Sequence, residues 1–484
     1  MTGTQSRETK QKKGIREISP IDVYKSLPRT NCGECEEANC MAFATRVVNG
    51  ELVLTACPPL YTDPFREDLL LLTELLAPAV GTVTIGTRRT LTIGGKHVLQ
   101  RHEFTYHNPA PIAIDIHDLL SEEELESRVR RIGEFSYQYI GRTLSLDAIA
   151  IRSVSGDPEL FRTAVTRTLA LTELPLILIS LDPAVMDAGL SVAGDRRPLI
   201  YAATRDNWKQ MAELAITYQC PLAVFAPHDL PLLRSLVKTL LHYGVAGLVL
   251  DPGTSGDAGL SDTIHNFTAI RTEACRNHDA LFGFPLIGVP MTVWTGEELS
   301  EDLLRWKEAI TASMLLSRHA DLLIMHSLDG GILLPQLIWR FNIYTDPRKP
   351  VSVEAGMREY GRPGRSSPVL ITTNYALTFF TVDSDIKAAN LDCYLVVIDT
   401  GGISVESAVA GRILTPGSIA SALTEYHTGS FVDHTTLIIP GLAARISGDT
   451  EEATGWNVLV GPKDSSGIPL FIKEHWPVRP EEGN

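Results

Sequence analysis

The chain has 484 residues, enough for about three domains at roughly 150 residues each. Lys and Arg number 43 against 58 Asp and Glu, a formal charge of −15, and a field of that sign opposes nucleic acid and anionic membrane as general partners. Hydrophobic residues make up 44% and charged residues 21%, the balance of a globular chain with real cores rather than a disordered one. Apolar runs such as PLILISL fall far short of the roughly 20 residues that cross a bilayer, so no membrane span is expected.

Residues 1–17 are polar and basic with no apolar stretch behind them, and read as a flexible, solvated tail rather than a secretory leader. Residues 18–75 read as a small cysteine-bearing unit closed by the helical pattern DLLLLTELLA. Over 76–109 the strings TVTIG and RTLTIGG alternate like a hairpin with Gly punctuation, which suits a link to the next unit. From 110 to 340 eight short apolar runs recur: 112–116, 147–153, 176–180, 198–202, 221–226, 246–251, 285–290 and 321–327. Amphipathic helical patterns such as SEEELESRVRRIGEF and RDNWKQMAELAITYQ separate them, and eight such pairs is the count of a (β/α)8 TIM barrel. At its carboxyl face Asp182, Asp206, Asn207, Asp251 and His326 occupy positions where catalysis is conventional and helix capping is commoner.

The last region, 341–484, opens on a stretch rich in Pro, Gly and Arg that reads as a linker or lid rather than core. Beyond it the runs at 368–373, 393–399, 436–441 and 457–462 predict a Rossmann-like α/β domain with a parallel sheet of about four or five strands. Ligands of such sheets sit over the carboxyl ends of the strands. Three of the four ends here are small or bear Gly, so backbone can approach a large flat ligand closely.

Seven cysteines are distributed unevenly: Cys220, Cys275 and Cys393 stand singly in apolar surroundings and read as small buried residues. Cys32, Cys35, Cys40 and Cys57 lie within 26 residues, in the spacing Cys-x2-Cys-x4-Cys-x16-Cys. Sparse cysteine use suits a reducing cytoplasm, where such a cluster binds metal. Tetrahedral zinc usually takes two close Cys pairs. Three near thiolates plus a distant Cys57-Pro58 instead suit a [4Fe-4S] cubane, with Gly33 letting backbone N–H groups turn toward its sulfides. Zinc, or an incidental group of thiols, remains the alternative on spacing alone.

The string SPIDVYKSLPRTNCGECEEANCMAFATRVVNGELVLTACPPL resembles the N-terminal iron–sulfur domain of the large (gamma) subunit of the corrinoid iron–sulfur protein. That family includes the gamma subunit of acetyl-CoA decarbonylase/synthase. FNIYTDPRKP, VLITTNYALTFFTV, VVIDTGG and HTTLIIPGLAARISGDTEEATGWNVLVGP resemble its C-terminal corrinoid-binding domain, so the likeness spans nearly the whole chain. The resemblance implies a cobamide, bound base-off, and a [4Fe-4S] cluster on Cys32, Cys35, Cys40 and Cys57. Thr345, Thr372, Thr373, Asn374, Tyr375, His434 and Gly441 match the family's cofactor-contacting stretches. Another cobalamin family supplies an axial ligand from Asp-x-His-x2-Gly, but Asp115-x-His117 is followed by Leu120 rather than Gly.

By that resemblance the chain is a methyltransferase subunit that carries a methyl group on cobalt. Co(I) would accept it from a methyl-tetrahydropterin or methyl-tetrahydrofolate and donate it to acetyl-CoA synthase, with the cluster returning Co(II) to Co(I). The partners implied are a small subunit forming a heterodimer, acetyl-CoA synthase/CO dehydrogenase and a pterin methyltransferase. Two other readings keep the same sequence features: an iron–sulfur electron-transfer protein without corrinoid, and a pterin-binding barrel methyltransferase with accessory domains.

Overall fold

In the computed structural model, which describes residues 18–49, 52–95, 99, 108–256, 259–295, 299–343 and 350–476, the first helix starts at a capping box. Ser19 and Asp22 cap each other's backbone at the head of Pro20–Lys25, and Asn39 accepts from the N–H groups of Met41 and Ala42 to start Cys40–Val48. Val23, Leu27, Phe43, Ala44, Leu60 and Leu72 form the core of this N-terminal part, with Leu72 supplied by the helix Arg66–Leu75.

The hairpin β1 (Thr82–Ile85) and β2 (Leu91–Gly94) follows as the Gly punctuation predicts, but it does more than link. Its Val83, Ile85 and Ile93 are fully buried in the same cluster as Ala113, Ala148, Ile177, Leu199 and Val249 of the barrel strands. Backbone bonds from Gly81 to Gly283 O and from Gly86 to Arg197 O pin it to loops that lead into strands. The hairpin is therefore a stopper in the amino end of the barrel.

Strand β3 (Ile112–His117) opens the barrel, and after its helix comes a small hairpin, β4 (Ser136–Tyr139) and β5 (Arg142–Ser145), with no counterpart among the expected elements. Strands β6 (Ala148–Arg152), β7 (Leu176–Ile179), β8 (Leu199–Ala203), β9 (Leu222–Phe225), β10 (Leu248–Asp251), β11 (Ile287–Gly288) and β12 (Leu322–Met325) complete it. All eight expected runs form parallel strands, in the order β10-β9-β8-β7-β6-β3-β12-β11, and a bridge from Leu250 to Leu286 nearly closes the ring. Continuous Ile, Leu and Val runs suit strands covered on both faces, and Ala113, Ala148, Ala150 and Ala223 leave room inside for the larger neighbours. A fully buried Arg271 meets Asp321 at 2.5 Å, and Asp321 also accepts from Leu286 N, so this pair clips the ends of β11 and β12 together. Cys220 is buried, as expected of a small apolar residue, while Cys275 is only half-buried.

By internal contacts the chain divides into two compact units, one of residues 1–137 and 144–346, the other of 138–143 and 347–484. In the second, β14 (Val369–Thr373), β15 (Cys393–Ile398), β16 (Thr436–Ile439) and β17 (Asn457–Val460) run parallel. The stretch read as a linker or lid contributes β13 (Gly356–Tyr360), an antiparallel edge strand on β15. Its alternating Met357, Arg358, Glu359 and Tyr360 pair residue for residue with β15, which outweighs the surrounding Pro and Gly. Alternate residues face opposite layers: Val369 and Ile371 meet Val405, Ala408, Ile419 and Leu423, whereas Leu370 meets Phe379, Val382, Ile386 and Ile468. No helix among the described residues is long and apolar enough to cross a membrane.

Candidate functional site

The sheet order of the second unit is β13-β15-β14-β16-β17, so the chain leaves β14 first to one side and then returns to the other. The carboxyl ends of β14 and β16 thus flank a topological switch point, where open α/β sheets bind ligands. A cavity of about 350 Å³ lies there, lined by Thr372, Leu377, Thr381, Pro440, Leu442 and Pro462 among others. Thr372 is fully buried and its hydroxyl has no partner among the described residues. Leu377 and Leu442, both lining the cavity, are 50% and 40% exposed, an apolar rim with nothing covering it in this chain's described residues.

Only some of the residues matched by resemblance gather there. Period-two alternation turns Thr373 to the opposite face of the sheet, where its buried hydroxyl also lacks a partner among the described residues. Neither Thr373 nor Asn374 caps the next helix; it starts at Ala376, with Tyr375 in the capping position and no side-chain cap. Asn374 instead organises the loop after β15. Its Oδ1 accepts from Thr400 N, Thr400 Oγ1 and Gly402 N, and its Nδ2 donates to Asp399. The Asp399–Gly402 string, a look-alike of a phosphate loop, is thereby engaged internally.

Gly441 matters through its backbone: a Cβ there would stand 2.7 Å from Gly461 O and 2.8 Å from Lys463 N, so only glycine lets the loops after β16 and β17 meet at the cavity edge. His434 stands apart. It precedes β16 at the amino end of the sheet, bonded to Ser367 O and Thr436 N and packed against Trp456 and Trp476. Thr345 lies outside the described residues. The sequence reading missed Leu377 and Thr381, whose signal is their four-residue spacing on the exposed face of the helix Ala376–Ala388.

Among the four clustered cysteines, Cys40 and Cys57 sit in the core of the N-terminal part, Cys35 is half-buried and Cys32 exposed; none is in a disulfide. Burial pushes the Cys57 thiol up, the Leu60 N–H opposes it, and the nearby Cys35, Cys40 and Cys32 add to the rise, which places those three thiols within electrostatic reach of Cys57. Gly33 adopts φ +76°, and Asn31 accepts from Cys40 N at 2.9 Å, drawing the loop of the first three cysteines onto the head of the helix Cys40–Val48. Among the described residues no three His, Cys, Asp or Glu side chains form a site for a single metal ion.

At the barrel's carboxyl face Asp182 is the helix cap that was expected, accepting from Ala184 N. Asp206 is exposed in a turn, and Asn207 braces its own loop through Thr204 and Ala202 and ties it to Leu181 of the loop after β7. Asp251 is buried in a bond from Tyr201 Oη at 2.7 Å and one from Gly253 N; burial raises its pKa to about 6 against those bonds. His326 Nδ1 bonds the buried Asp115 at 2.5 Å. Burial would raise Asp115, but the His326 bond and the charges of His326, Arg128 and Arg152 outweigh it and hold the carboxyl below its ordinary range.

The family model of the CO dehydrogenase/acetyl-CoA synthase delta subunit matches residues 82–472, and a family described as "Putative Fe-S cluster" matches residues 27–59. The gamma subunit of the acetyl-CoA decarbonylase/synthase complex from Methanosarcina acetivorans is 44% identical over 95% of this chain and 99% of its own. The corresponding subunit from Methanothermobacter thermautotrophicus is 43% identical over 94% and 98%, and that from Methanopyrus kandleri 40% over 97% and 100%. Among solved structures, dihydropteroate synthases from Xanthomonas albilineans and Thermus thermophilus each match with a TM-score of 0.37, at 16% and 15% identity. They cover 48% and 53% of this chain, and 93% and 99% of their own. The near full-length identity to three gamma subunits, together with the family match over barrel and α/β regions, shows that the chain belongs to the acetyl-CoA decarbonylase/synthase gamma-subunit family.

Proposed function

We propose that the chain is the corrinoid-carrying iron–sulfur subunit of an acetyl-CoA decarbonylase/synthase complex, acting in the cytoplasm as a methyl carrier. The observation that carries the corrinoid part is the switch-point cavity of the second unit. The orphaned Thr372 hydroxyl, the glycine-dependent closeness of the loops at Gly441 and the uncovered apolar rim of Leu377 and Leu442 fit a large, flat, partly apolar group with polar edges. When bound, the corrinoid supplies cobalt-centred methyl transfer. This chain's part is to position and shield it: Thr372 offers a donor, the loops after β16 and β17 shape the seat, and Leu377 and Leu442 keep water from the contact.

Cys32, Cys35, Cys40 and Cys57 are proposed to hold a [4Fe-4S] cluster; the Fe-S family match over residues 27–59 supports an iron–sulfur group there. The division of labour follows the domains proposed from sequence: cluster at 18–75, stopper hairpin within 76–109, barrel at 110–340 and corrinoid seat at 341–484. A seat formed on one small domain leaves the other side of its ligand to be covered, which supports a small subunit as heterodimer partner. The complex membership of the relatives supports acetyl-CoA synthase/CO dehydrogenase as a further partner; a pterin methyltransferase is the partner that the methyl-carrier reading requires.

Metal analysis of the chain purified anaerobically from a cobamide-supplied host tests the reading. It should contain about four irons and one cobalt per chain. Iron without cobalt would replace it with the electron-transfer reading.

A further inference from the structure

A second cavity, of about 200 Å³, opens at the carboxyl rim of the barrel, between the helix after β3 and the segments after β11 and β12. Among the described residues, each acid around it accepts a hydrogen bond or ion pair within the protein. Glu301 holds Arg305 at 2.7 Å, and Asp329 accepts from Gly331 N. Buried Glu308 accepts from His326 N, Ser327 N and Trp294 Nε1, and buried Asp115 is shared by His326, Arg128 and Arg152.

Hydrogen-bond donors are left over. The side chain of Arg131, exposed on the helix Glu122–Glu134, makes no hydrogen bond or ion pair with any described residue. Arg128 uses Nε on Asp115 O and Nη2 on His326 O, which leaves Nη1 without a partner among the described residues. His326, with Nδ1 held by Asp115 and its ring 4.6 Å from that of Trp294, leaves only Nε2 for a ligand. Nε2 can accept from a P–OH, or donate once protonated. A concave pocket that presents the Arg131 guanidinium, the open Nη1 edge of Arg128 and an imidazole edge is complementary to a tetrahedral oxyanion. The segments after the seventh and eighth strands are also where barrels of this architecture commonly hold phosphate.

We propose that this rim binds phosphate, either free or as a small monoester, through Arg131, Arg128 and His326. Nothing in the corrinoid reading requires or supplies this site, and it is tested without either cofactor being assayed. Calorimetric titration of the purified full-length chain with inorganic phosphate and, separately, with glycerol 3-phosphate should give saturable single-site binding on the order of millimolar or tighter. The tighter of the two identifies the free ion or the ester as the ligand class. Arg131→Ala is exposed and safe to fold, and should weaken binding roughly tenfold. Arg130→Ala, one residue away and paired outward with Glu126 at 3.7 Å, should bind like the parent chain. Absence of saturable binding to either probe, an Arg131→Ala affinity equal to the parent's, or an equal loss in Arg130→Ala would each overturn the assignment.

Discussion

Thr372 shows how one atom separates holding a ligand from holding the fold. Its buried hydroxyl has no partner among the described residues, and an unsatisfied buried polar group costs about 1–3 kcal/mol. Thr372→Val keeps the shape and removes the group. The cofactor-free chain should therefore resist urea at least as well as its parent, while cobamide retention falls by about 0.5–1.5 kcal/mol, read as cobalt kept through gel filtration. A destabilised variant would show the hydroxyl to be part of the fold instead.

Asp251 makes the opposite case. Burial lifts its carboxyl from 3.8 to about 6, so the folded chain keeps that proton to higher pH than the unfolded one. The stability it contributes is complete below about pH 4 and is lost as pH rises through about 6. Asp251→Asn should lack that decline. Its stability relative to the parent should improve by up to about 3 kcal/mol between pH 4 and pH 7, measured by denaturation at each pH.

At the scale of elements, the hairpin β1–β2 and the segment 350–353 both turn connecting sequence into structure. Ile93 is fully buried among barrel residues, so Ile93→Ala should cost about 2–5 kcal/mol and lower the barrel's melting temperature as a core substitution does. A passive link would tolerate it. Segment 350–353 lies along the carboxyl ends of β14 and β15: Val353 N bonds Asn374 O, Ala376 N bonds Val351 O, and a Cβ on Gly402 would meet Pro350 at 3.0 Å. That leaves the crevice between β14 and β16 as the open one.

The eight barrel runs and four of the five later strands were legible because fully covered parallel strands read as continuous apolar runs. The edge strand β13 was not, since it sits among Pro, Gly and Arg and draws its order from pairing with β15.

For the molecule as a whole, two compact units with separate cores mean that metal content at one site should be independent of the other. Cys35→Ala removes one of the four proposed iron ligands. The variant should lose its iron–sulfur absorption while binding as much cobalt as the parent, measured on the same preparation. Loss of both metals would mean that cluster and corrinoid seat depend on each other for folding.

The sequence alone determined what depends on residue identity and local period. That covers the spacing of Cys32, Cys35, Cys40 and Cys57, the barrel count, the order of regions along the chain and the small residues at strand ends. Only the tertiary structure decided which of those residues meet. Strand order placed the cavity between β14 and β16, alternation sent Thr372 and Thr373 to opposite faces, and hydrogen bonding tied Asn374 to its own loop. Position along β16 put His434 at the far end of the sheet from the cavity. Propensity and spacing act over a few residues, whereas the neighbours of a strand end are set by pairings between segments many residues apart, which no local pattern records.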